Sequence, residues 1–209
     1  ADISSAAFFM VAASIATNAQ IMLQHVGINP TRTGVIDILR LMGADICLHN
    51  QRDVGGEPVA DIVIKSAQLK GAQIPEELVP LAIDEFPALF IAAACAEGTT
   101  IVTGAEELRV KESDRIQAMV DGLVLLGVNA TGTEDGAIIE GVGANGVLGA
   151  KLSSVDIECH HDHRIAMAFA VASLRAGCDI VIPNCDNIMT SFPNFVELAN
   201  QVGMQISVS

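Results

Sequence analysis

The 209-residue chain carries 25 Asp and Glu against 11 Lys and Arg, a formal net charge of −14 at pH 7. That sign weighs against nucleic acid or an anionic membrane as a partner, and it forces any site for an anionic ligand to concentrate its few cations locally. Hydrophobic residues at 51% with 17% charged residues exclude a disordered chain and leave a globular one with a substantial core.

The chain opens on Asp2-Ile-Ser-Ser-Ala-Ala-Phe-Phe-Met. Its apolar run over residues 6–16 is too short to span a bilayer, and Asp2 stands where a signal peptide needs a basic flank. The sequence begins without Met, directly on helical sequence, which reads as an excised domain or processed fragment.

A unit then recurs with a period near 80 residues, giving repeats of about 1–66, 67–150 and 151–209. Each opens on a polar start and a small-residue apolar run: Asp2-Ile-Ser-Ser-Ala-Ala, Asp84-Glu-Phe-Pro-Ala-Leu-Phe and Asp162-His-Arg-Ile-Ala-Met. The runs are apolar around the whole helical circumference, which predicts buried helices whose polar starts cap free N–H groups. Strands are expected at 19–23, 99–103 and 179–182, with Gly98 and Gly177 ending the preceding helices. A second helix follows in each unit, closing on Met42-Gly43, Leu126-Gly127 and Val202-Gly203; Ser191 and Pro193 are expected to cap the third.

Further strands are predicted at 45–48, 60–64, 130–133, 137–140 and 205–208, leaving the third unit one strand short. Gly55-Gly56 and residues 141–149 read as loop. The expected architecture is a single α/β domain with helices inside and sheets outside. If the buried helices run parallel, their starts gather at one end and form an anion site from N–H donors and dipoles.

Five cysteines (47, 95, 159, 178 and 185) form no CxxC pair and mostly lie in apolar runs, as buried reduced thiols of a cytoplasmic protein do. Residues 106–115 hold three of the 11 basic residues together with four carboxylates. Alone, that cluster is most simply a surface ion-pair segment. Asp84 reads equally as a helix cap or as a general base kept ionised by local N–H donors. Arg115 offers a forked donor for carboxylate or phosphate, beside Lys111 and Glu112. Cys159-His160-His161 raises metal binding, but adjacent strand residues face opposite ways, so His163-Arg164 is better read as an anion contact. Gly141-Val-Gly143-Ala-Asn-Gly146 has the glycines of a dinucleotide loop without its helix or acid.

Arg109-Val-Lys-Glu-Ser-Asp-Arg-Ile116, Asp162-His-Arg-Ile-Ala-Met167, Thr190-Ser-Phe-Pro-Asn-Phe195 and Asn29-Pro-Thr-Arg-Thr-Gly34 together resemble the 5-enolpyruvylshikimate-3-phosphate synthases, across all 209 residues. The resemblance implies the enolpyruvyl-transferase fold, two domains of three βαβαββ units each, with this chain similar to the C-terminal one. It implies a carboxyvinyl transfer from phosphoenolpyruvate to the 5-hydroxyl of shikimate 3-phosphate, releasing phosphate, in aromatic amino-acid biosynthesis and without metal or cofactor. By motif position Asp84 accepts the hydroxyl proton and Glu112 shuttles a proton to and from the phosphoenolpyruvate methylene. Lys111 and Glu107 contact shikimate 3-phosphate, Arg115 and Arg164 hold phosphoenolpyruvate, and His163 lines the site.

The pattern departs at Thr190-Ser191, where many members carry a Lys. The family's N-terminal Lys-Ser segment, which completes this domain's sheet, and its other domain with a Ser-Ser-Gln motif are expected as partners; alone the chain is expected to be inactive. Two further readings stay open, a related transferase acting on a UDP-sugar and a non-catalytic binding domain of the same fold.

Overall fold

In the computed structural model, which describes residues 2–208, the elements in chain order are α1 (Ile3–Ile15), β1 (Gln20–Gly27), α2 (Gly34–Leu41), β2 (Asp45–Val54), β3 (Glu57–Lys65), α3 (Phe86–Cys95), β4 (Glu97–Val102), α4 (Arg115–Leu125), β5 (Asn129–Gly132), β6 (Ala137–Val142), β7 (Ser154–Asp156), α5 (His163–Ala172), β8 (Asp179–Val181), α6 (Ile188–Ser191) and α7 (Phe195–Gln201). Short 3-10 turns at Ile83–Glu85 and Glu106–Val110 precede α3 and α4.

The three Ala-rich runs form α1, α3 and α5, which pack pairwise at the centre. A helix with no polar face must be covered by protein on all sides, and small side chains let such helices approach closely. Their starts lie together: Ser4 of α1 donates to Glu85 just before α3, and Arg164 in the first turn of α5 donates to the Asp84 carbonyl at 2.9 Å.

Their ends meet too. Arg175, just past α5, donates to the Ile15 carbonyl that ends α1 (3.3 Å) and to those of Gly143, Ala144 and Gly146 (2.9, 2.9 and 2.6 Å). The Gly143 amide in turn reaches the Ala96 carbonyl at the end of α3 (2.9 Å). One guanidinium therefore ties the C-terminal ends of all three central helices. Arg175→Met is expected to destabilise by about 3 kcal/mol, since several half-buried carbonyls lose a charged donor. Thermal denaturation reads this as a fall in Tm of roughly 6–12 °C.

The sheets lie outside. The first has the order β1-β3-β2 and the second β4-β6-β5, all neighbours antiparallel. Gly55 and Gly56 turn the β2–β3 hairpin with φ of 64° and 88°, left-handed values that glycine adopts without the cost of a Cβ. Residues 69–74, where no strand is predicted from the sequence, run parallel along β4: the Glu97 amide donates to Leu69 O and the Ile101 amide to Ala72 O, at 2.9 and 3.0 Å. That strip completes the second βαβαββ unit. In α4, Gly122 admits the Phe169 ring of α5, because a Cβ there would lie 2.2 Å from its Cζ.

The third unit differs. Its sheet is β7 paired in parallel with β8, and β7 falls where no strand was predicted. Residues 205–208, expected as a strand, pair with nothing extended among the described residues. They border an open groove of about 1170 Å3 lined by Ile180, Ile182, Phe195 and Ile206. The helix expected to be capped by Ser191 begins later: Ser191 ends α6, and α7 starts after Asn194, because Phe192 and Phe195 turn inward onto Phe9. Gly98 lies within β4 and does not end α3, whose cap is Ala96.

Cys95 and Cys159 are buried, but Cys47 is exposed on β2, on the outer side of a strand with one covered face. Burial pushes the Cys95 thiol up to about 12.

Candidate active site

Asp84 sits in the Ile83–Glu85 turn and makes no capping bond to α3. Glu85 occupies the cap position, and Pro87 in the first turn needs no N–H partner. The carboxylate of Asp84 is held by side-chain cations and not by the amides expected from the sequence. Arg115 Nη1 lies 3.3 Å and Lys111 Nζ 3.6 Å from its Oδ1, and Arg164 Nη2 is 3.9 Å from Oδ2. Partial burial pushes the Asp84 carboxyl up, but Arg164, Lys111 and Arg115 outweigh it and hold the group below the usual aspartate value.

Each cation reaches Asp84 from a different piece of chain. Lys111 ends the Glu106–Val110 turn, Arg115 opens α4 and Arg164 opens α5. Arg109 fixes the turn by donating to the Glu134 carbonyl at 2.8 Å and to the Asp114 carboxylate at 2.7 Å. Asp114 caps α4 through the Gln117 amide (3.0 Å). Glu107 is the outermost member of the cluster and accepts a bond from Lys111, and that bond raises the Lys111 ammonium.

Arg115 is only 1% exposed and its partner Asp162 is fully buried. Arg115 Nε donates to Asp162 Oδ2 at 2.8 Å, Ser113 Oγ reaches the same oxygen at 3.1 Å, and the Arg164 amide donates to Oδ1 at 2.9 Å. Asp162 thus caps α5 and anchors Arg115 at once. The remaining edge of Arg115 faces Asp84 and Glu112, whose Oε2 is 2.5 Å from Nη2. Glu112 itself is half-exposed and points to the open side.

His160 and His161 are not on a strand. Both are left-handed, at φ of 51° and 57°, a conformation costing of order 1 kcal/mol or more each for such residues. The turn is held by the Asp162 amide on Cys159 O (2.8 Å) and by Asn187 on His161 O. It aims Asp162, His163 and Arg164 at the site. Burial, then the neighbouring Arg164, lower the His163 imidazole, so at neutral pH it offers an uncharged ring and adds no positive charge to the anion contact expected there. His163 and Arg164 line a cavity of about 160 Å3 with Ser4, Ser5 and Ser191, one of the two residues at the sequence departure Thr190-Ser191.

All seven residues singled out from the sequence therefore lie at this end of the helices, with Asp84 central and Glu107 outermost. Sequence reasoning missed Asp162 as the anchor of Arg115, and Ser113 and Glu85 entirely. The one available signal was Asp162 directly before His-Arg at a helix start.

The arrangement suits an anionic ligand that must also exchange protons. A family model described as EPSP synthase (3-phosphoshikimate 1-carboxyvinyltransferase) matches residues 1–198. The chain is 64% identical to a 3-phosphoshikimate 1-carboxyvinyltransferase from Hydrogenovibrio crunogenus, over 99% of the chain and 45% of that protein. It is 61% identical to one from Methylococcus capsulatus, over 100% of the chain and 46% of the relative. An EPSP synthase structure from Acinetobacter baumannii superposes with a TM-score of 0.94 at 59% identity, covering 100% of this chain and 47% of that one. The enolpyruvyl transferase NikO from Streptomyces tendae shares the fold at a TM-score of 0.71 and 18% identity, over 98% and 43%. The chain thus spans just under half the length of these relatives. On this similarity the chain belongs to the EPSP synthase family.

Proposed function

We propose that the chain is the C-terminal domain of a 3-phosphoshikimate 1-carboxyvinyltransferase, one domain of repeats at about 1–66, 67–150 and 151–209, supplying half of the active site. The observation that carries the reading is a carboxylate, Asp84, set among Lys111, Arg115 and Arg164 where three helix starts meet. In this reading Asp84 takes the proton from the 5-hydroxyl of shikimate 3-phosphate as the oxygen attacks C2 of phosphoenolpyruvate. Glu112 delivers a proton to the methylene carbon, giving a tetrahedral adduct. Glu112 then removes a proton from the new methyl group as the C2–O bond to phosphate breaks and phosphate departs.

An aspartate held below its usual value is a weak base. The two substrates correct this, because their phosphate and carboxylate charges neutralise the cations that depress Asp84. Lys111 and Arg164 are the more open cations and meet the anions first. Arg115 becomes available only when an anion displaces Asp84 or Glu112 from its outer edge.

The remaining length of such a protein supplies the other anion contacts and covers the open third-unit groove beside β8. No helix among the described residues is long and apolar enough to cross a membrane. Steady-state assay with both substrates is expected to show turnover by the full-length protein and none by the 209 residues alone. Robust turnover by the 209 residues would overturn the half-site reading. Thermal stabilisation of the full-length protein by UDP-N-acetylglucosamine, but not by shikimate 3-phosphate, would favour the UDP-sugar reading instead.

A further inference from the structure

Beside Asp84 lies a second acid that the mechanism above does not use. Glu85 is only 4% exposed and faces away from Asp84 toward the start of α1. Ser4 Oγ donates to its Oε1, and Arg32 Nη2, from the loop between β1 and α2, donates to Ser4 Oγ at 2.9 Å. Arg32 is itself steadied by Asp2 at 3.5 Å. On the other side, Arg164 Nη1 is 3.9 Å from Glu85 Oε1 while its Nη2 is 3.9 Å from Asp84 Oδ2. The Arg164 guanidinium is therefore suspended between two carboxylates at marginal ion-pair distance, with its one short bond to the Asp84 carbonyl.

We propose that Glu85, held by Ser4 and Arg32, is a positioning residue for Arg164 and sets how strongly that guanidinium grips the anion of an incoming ligand. The proposal rests on Arg164 being an anion contact in the transferase reading above. An ionised Glu85 competes with the ligand for Arg164, and a neutral Glu85 releases it. The charged groups facing Glu85 are Asp84 from its own turn, Arg32 from the β1–α2 loop and Arg164 from α5. Burial is the largest influence and raises the Glu85 carboxyl, with Ser4 and Arg164 pulling the other way. As pH falls through that raised value the acid gains its proton and the competitor for Arg164 is lost. Ligand affinity carried by Arg164 then rises toward that of a protein with no acid at this position.

The test is phosphoenolpyruvate binding by the full-length protein, with Glu85→Gln measured beside wild type by calorimetry from pH 5 to 8.5. The ligand's own protonation cancels in the ratio of the two dissociation constants. Glu85→Gln is expected to bind about two- to fivefold tighter at the alkaline end, the size of a weak ion pair at marginal distance, with the ratio approaching one at the acidic end. A ratio of one throughout, or weaker binding by Glu85→Gln at pH 8, overturns the proposal while leaving the transferase reading intact if turnover is present. Absence of phosphoenolpyruvate binding by wild type at every pH sinks both.

Should Glu85→Gln fold poorly, Ser4→Ala keeps the acid but removes its donor. The pH at which affinity changes is then expected to move up, and an unmoved midpoint counts against the proposal.

Discussion

Asp162→Ala is expected to destabilise this chain by about 3–5 kcal/mol, the usual cost of removing one member of a buried ion pair. Arg115 would remain 1% exposed with its Nε donor unanswered, and Ser113 Oγ and the Arg164 amide would lose the same acceptor. Thermal denaturation should show Tm lower by roughly 6–20 °C. The double variant Asp162→Ala, Arg115→Met separates this account from a simple loss of contacts. If the cost is the buried Nε edge of Arg115 left without an acceptor, the double variant is more stable than Asp162→Ala alone, because that unanswered donor has gone. A Tm within about 2 °C of wild type for Asp162→Ala, or additive losses in the double variant, would refute the anchoring role of Asp162.

The dual duty of Asp162 also marks the limit of what the sequence disclosed. Its cap on α5 was legible, because an acidic residue before a small apolar run signals a helix start whatever the rest of the chain does. Its bond to Arg115 spans 47 positions and links two units, and no local pattern encodes that. The central helices were legible for a related reason. Residues 3–15 and 86–95 have no polar face, so burial follows from the sequence alone.

At Asp84 the groups that hold the carboxylate differ from those its place in the sequence suggests. The acid was placed at a helix start, but the turn Ile83–Glu85 moves it out of the cap, and cations from two other helix approaches hold it instead of amides. Residues 69–74 were missed because an extended strip flanked by Pro75 and lacking strict alternation is recognised only by its bridges to β4. The third unit misled in the opposite direction. Residues 205–208 alternate like a strand but pair with no other segment among the described residues, so pattern without a partner did not make a strand.

Asp84→Asn and Glu112→Gln, introduced separately into the full-length protein, are each expected to lower kcat by about 10^2–10^4, the range a positioned proton-transfer group contributes. Ligand affinity should respond differently. Asp84→Asn removes the negative charge that now faces Lys111, Arg115 and Arg164, so phosphoenolpyruvate binding should hold or tighten while turnover collapses. Glu112→Gln frees the outer edge of Arg115 from its anionic partner, and it too should leave binding at least as strong as in wild type. Calorimetry for binding and a phosphate-release assay for turnover give the two quantities independently. A parallel loss of affinity and kcat would mean that both acids merely hold the cations in place. Unchanged turnover in both variants would leave a pocket that binds anions without Asp84 or Glu112 moving a proton, and the non-catalytic reading of this domain would then be the better one.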